Sequence, residues 1–83
     1  MIEWKIDKGY MILYHDLFLD KKMIASVIEY LDEDLYNVMF PDAQEDLAIL
    51  YNRLSPIIPN SLSNAKNSII HTLNIFNQYK VFL

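Results

Sequence analysis

The sequence predicts an α+β domain, mostly helical, in which an N-terminal β-hairpin packs on three or four helices. Three observations carry this expectation. Apolar residues alternate over residues 2–6 and run into the chain's only glycine. From Ile24 onward they recur at intervals of three and four. Pro41 and the Pro56/Pro59 pair then divide the remainder into helix-sized pieces.

Ile2, Trp4 and Ile6 alternate with Glu3 and Lys5, the period-two pattern of a half-buried strand. Asp7-Lys8-Gly9 then reads as a three-residue loop with Gly9 in the left-handed position. In that register Ile6 faces Tyr10, Trp4 faces Ile12 and Ile2 faces Tyr14, giving one wholly apolar face. The competing reading is a helix over Tyr10–Leu19 carried by Tyr10, Leu13, Tyr14, Leu17 and Phe18, which makes the protein an all-α bundle.

Asp20 has the chemistry of an N-cap. Ile24, Val27, Ile28, Leu31, Leu35, Val38 and Met39 then form one apolar stripe, in one long helix or in two that meet near Asp32-Glu33-Asp34. Asp42-Ala43-Gln44-Glu45 resembles a capping box, and Leu47, Leu50, Tyr51 and Leu54 supply the buried stripe behind it. After the two-proline connector a last helix begins at Ser61 or Ser63. It buries Leu62, Ala65, Ile69, Leu73 and Phe76 and frays near Tyr79, leaving Val81-Phe82-Leu83 as an apolar tail.

With 83 residues the chain is one domain, residues 1–83. There is no cysteine to staple it. Hydrophobic residues make up 53% of it, more than so small a core readily hides, so a contact with a partner or a second copy is expected. No apolar run reaches the length of about 20 residues that crosses a bilayer, and the N-terminus lacks a signal-peptide layout. The expected location is the cytoplasm, with no membrane partner. The prevalence of Ile, Asn, Tyr and Lys points to an AT-rich microbial or viral genome.

Charge is the most informative feature. Glu29, Asp32, Glu33, Asp34, Asp42, Glu45 and Asp46 lie in an 18-residue stretch without lysine or arginine, so the rest of this −4 chain is net positive. A short turn at Phe40-Pro41 is expected to bring these acids to one pole, which attracts a basic surface. Tyr30, Tyr36 and Tyr51 border it, and Tyr36 joins the acids as a candidate contact residue. The alternative is that Asp42, Glu45 and Asp46 stabilise a helix N-terminus while the other acids are solvated.

No motif for catalysis, cofactor or metal emerges. Asp32 and Asp34 alternate as calcium ligands do, but without the glycine turn and the following glutamate. His15 and His71 lie in no ligand or triad pattern. One glycine cannot build a phosphate loop, and seven scattered basic residues cannot neutralise many phosphates. The expectation is therefore a non-catalytic interaction module, of the inhibitor, immunity or adaptor kind. It docks a basic surface of another protein, without direct nucleic-acid contact. The alternative is a homo-oligomeric structural or regulatory module that uses the last helix and the tail.

Overall fold

The computed structural model describes residues 2–55 and 57–82, with side chains described as far as Asn77. Four antiparallel strands, β1 (Ile2–Gly9), β2 (Ile12–Leu19), β3 (Lys22–Tyr30) and β4 (Leu35–Met39), form a meander in the order β1-β2-β3-β4. A 3-10 turn at Asp42–Gln44 leads into α1 (Glu45–Leu54), and α2 (Leu62–Phe82) completes the order. The strands hold 30 residues and the two α-helices 31, so the protein is neither mostly helical nor an all-α bundle. The hairpin is real, but the region from Asp20 to Met39 is the second half of a sheet and not a helix.

The turns explain the difference. The first hairpin turns at Tyr10-Met11, with Met11 at φ 56°, and Gly9 is an ordinary strand residue without positive φ. A Cβ at Gly9 would stand 3.3 Å from the Tyr14 ring, so its small size serves clearance. Trp4 pairs with Leu17 and Ile6 with His15, where Ile12 and Tyr14 had been expected to join Trp4's face. Moving the turn changed the parity of the register, which exchanges the two faces of β2. The second hairpin turns at Asp20-Lys21, both left-handed at φ 50° and 70°, as a type I′ turn requires. Aspartate suits that backbone as well as it suits an N-cap, so Asp20 alone did not distinguish them.

β3 hides its period because Ile24–Ile28 are buried without a break. It is a central strand, and a bulge sets Ile24 between the Leu17–Ala25 and Phe18–Met23 pairs, so that Ile24 and Ala25 both belong to the core. β4 alternates cleanly, with Tyr36 and Val38 half-buried between exposed Leu35, Asn37 and Met39.

Both helices pack on one face of this sheet. Leu17, Ala25 and Val27 meet Leu47 and Tyr51 of α1 and Ala65, Ile69 and Leu73 of α2. The Tyr51 hydroxyl lies 3.0 Å from Ser68 Oγ and ties the helices together. The expected capping box does not form: neither Pro41 nor Gln44, the residues at the two helix starts, makes a side-chain cap bond. The start of α2 is as expected, for Ser61 Oγ accepts the Asn64 N–H at 3.0 Å. α2 continues past Tyr79 to Phe82. The side chains of the expected contact tail, Val81-Phe82-Leu83, lie outside the described residues. Among the described residues no helix is long and apolar enough to cross a membrane.

The other face of the sheet carries Ile12, Tyr14, Phe18, Met23, Ile28, Tyr30, Leu35 and Met39, with no covering layer among the described residues. Ser26 sits among them, its Oγ buried and without a hydrogen-bond partner among the described residues.

Candidate protein-binding surface

A meander puts alternate turns at the same end of its sheet, and here the β1–β2 turn stands beside the β3–β4 loop. The two are joined by a hydrogen bond from the Leu31 N–H to the Met11 carbonyl at 3.1 Å. In the β3–β4 loop the Glu33 N–H donates to the Tyr30 carbonyl at 3.3 Å, and Asp34 follows with φ 47°. A turn followed by one left-handed residue is a common way to build a four-residue hairpin loop, and aspartate tolerates the left-handed position better than most side chains. Asp32-Glu33-Asp34, awkward at a helix C-terminus, is therefore well placed as a loop.

The result is a tip at which acids surround exposed apolar groups. Tyr10 is 93% exposed and Leu31 50% exposed, with Met11 and Leu35 exposed beside them. Asp32, Glu33 and Asp34 are all exposed. Lys8 is the single basic residue within residues 7–11 and 31–34. With its polar and apolar parts interleaved, the tip has the composition of a protein contact.

The other candidates are distributed differently. Asp42, Glu45 and Asp46 follow β4 and are exposed, while the acidic loop precedes it. β4 is five residues long, which separates the two groups by about 17 Å. Six of the seven acids thus form two patches in place of one pole. Glu29 belongs to neither, because its Oε1 lies 2.9 Å from Nε2 of the buried His15. Tyr36, opposite Glu29 on β4, packs against the core. Of the residues read as contact groups, only Asp32, Glu33 and Asp34 meet at the tip. Tyr10 and Leu31 were missed because each was assigned to an apolar stripe facing inward, and Met11 because the expected hairpin register set it on the face of Glu3 and Lys5.

Other concave and polar places offer less. A groove of about 440 Å³ lies between the end of α1, the connector and the start of α2, lined by Tyr51, Ile58, Asn60, Asn64 and Ser68 among others. Among the described residues no three His, Cys, Asp or Glu side chains are grouped to hold a metal ion. Comparison with protein-family models, with curated proteins and with solved structures finds no match.

Proposed function

We propose that this protein is a non-catalytic binding module that docks a basic surface of a partner protein through the tip formed by the β1–β2 turn and the β3–β4 loop. The observation that carries the reading is the Leu31–Met11 hydrogen bond. It holds Asp32, Glu33 and Asp34 against the exposed Tyr10, Met11 and Leu31. The acids steer a basic partner and set its orientation, and the apolar groups supply the area that slows dissociation. Because β-turn backbone fixes the loop, little ordering is left to oppose binding. The engagement of His15 with Glu29 in the interior favours a structural role for that imidazole over a catalytic one.

The experiment compares capture of partners from a lysate by wild type, by the tip variant Asp32→Lys/Glu33→Lys and by the helix-start variant Glu45→Lys/Asp46→Lys. Asp34 is left in place because its left-handed backbone belongs to the loop. A basic protein held by wild type and by the helix-start variant, lost with the tip variant and weakened by salt, is the expected result. Equal capture by all three, with unchanged circular dichroism, refutes the reading.

A further inference from the structure

β1 is an edge strand of eight residues, and no strand pairs with its outer side among the described residues. A two-residue turn closes on the Gly9–Ile12 pair, so the ladder alternates back from there. The backbone groups of Gly9, Asp7, Lys5 and Glu3 face β2, and those of Lys8, Ile6, Trp4 and Ile2 face outward. The strand contains no proline and no bulge, two of the devices that blunt an exposed edge. On the face shared with the helices, Ile2 and Ile6 remain 41% and 61% exposed. On the opposite face the charges alternate as Glu3, Lys5 and Asp7.

Charges on an edge strand repel a second copy only when like signs meet, and here the signs alternate. We propose that β1 pairs antiparallel with β1 of a second copy about a two-fold axis at Trp4. In this register Glu3 lies opposite the partner's Lys5, and Lys5 opposite the partner's Glu3. Ile2 covers the partner's Ile6, and the two Trp4 side chains meet on the axis. Within residues 2–6 every cross-strand pair is then either opposite in charge or apolar, the combinations that stabilise antiparallel neighbours.

The neighbouring registers are worse. A slip of two residues sets Lys5 against the partner's Lys5 and Glu3 against the partner's Asp7. A slip of four restores a Lys5–Asp7 pairing but leaves Ile2 uncovered. It also brings the partner's Lys8 to Trp4, whose ring already carries the Lys66 ammonium at 4.8 Å. Pairing at Trp4 makes one eight-stranded sheet with all four helices on the same side. Because the strands run antiparallel, the two acidic tips point in opposite directions, and neither is covered.

Sedimentation velocity on the full chain from low to high micromolar concentration tests the proposal. Wild type is expected to pass from monomer to dimer. Lys5→Glu and Glu3→Lys each set like charges across the seam, and both are expected to stay monomeric over the same range. An equimolar mixture of these two variants places opposite charges across the seam again and is expected to recover the dimer. Ile6→Pro removes an outward N–H without touching the β1–β2 ladder, and should abolish the dimer while leaving the thermal unfolding cooperative. Monomeric wild type at high micromolar concentration overturns the proposal. So does a dimer that survives all three substitutions, which would place the contact on the outer sheet face or the C-terminal tail. Single variants that are monomeric but do not recombine in the mixture overturn the register.

Discussion

His15 lies on β2 with its side chain almost wholly enclosed, Nε2 bonded to Glu29 and Nδ1 without a partner among the described residues. Glu29 thus satisfies an imidazole in the interior, and this interior duty removes it from the acidic surface expected from its charge. Glu29→Ala should cost about 1–3 kcal/mol, because it leaves the buried ring with neither nitrogen bonded. The double variant His15→Leu/Glu29→Leu should recover most of that loss, since no unsatisfied polar group remains. Urea titration of the three proteins checks both statements, and a double variant as unstable as Glu29→Ala contradicts the account. Nothing in the linear spacing of residues 15 and 29 marks them as neighbours. They meet because β2 and β3 are paired antiparallel, with Leu13 opposite Glu29 and His15 opposite Val27.

At the scale of elements, the turns decided the outcome, and they are built without glycine. Met11, Asp20, Lys21 and Asp34 all hold positive φ, a backbone that costs a non-glycine residue about 1–2 kcal/mol. Lys21→Gly should therefore raise stability by about 0.5–1 kcal/mol, after allowing for glycine's greater freedom in the unfolded chain. A shift of the urea midpoint to higher concentration with unchanged slope is the expected reading. Loss of stability would show that the Lys21 side chain contributes more than its backbone strain costs. The same turns account for what the residues concealed. A hairpin marked by Asn-Gly is legible, whereas Asp20-Lys21 reads as the start of a helix. Ile24, Val27, Ile28, Leu31, Leu35 and Val38 fit a helical stripe because a bulge and two-sided burial erase the alternation of β3. Where no turn or bulge intervened the reading was accurate: α2 starts behind Ser61 and buries Ala65, Ile69 and Leu73.

Over the whole molecule, a single core joins β2 and β3 to both helices, with Leu17 fully buried within it and Trp4 of β1 and Tyr36 and Val38 of β4 packed at its edge. A chain of this length has a stability of about 4–12 kcal/mol, so the loss of about 2–5 kcal/mol expected for Leu17→Ala is a large share of it. Far-ultraviolet circular dichroism and Trp4 fluorescence should report the same lowered midpoint, because sheet and helices share this residue. Separate midpoints would mean that the sheet and the helical layer unfold independently. The residues alone determined a small acidic chain with a strand at its start, a helix after Pro41, a helix from Ser61, and a negative middle segment. These features depend on composition and on local backbone preference, which are written in the sequence. Tertiary structure decided that residues 22–39 are strands, that the acids split between the two ends of β4, and that Tyr10, Met11 and Leu31 stand exposed beside the acidic loop. Each of these depends on which strand pairs with which and in what register, and pairing is settled by the summed burial of distant residues rather than by any local spacing.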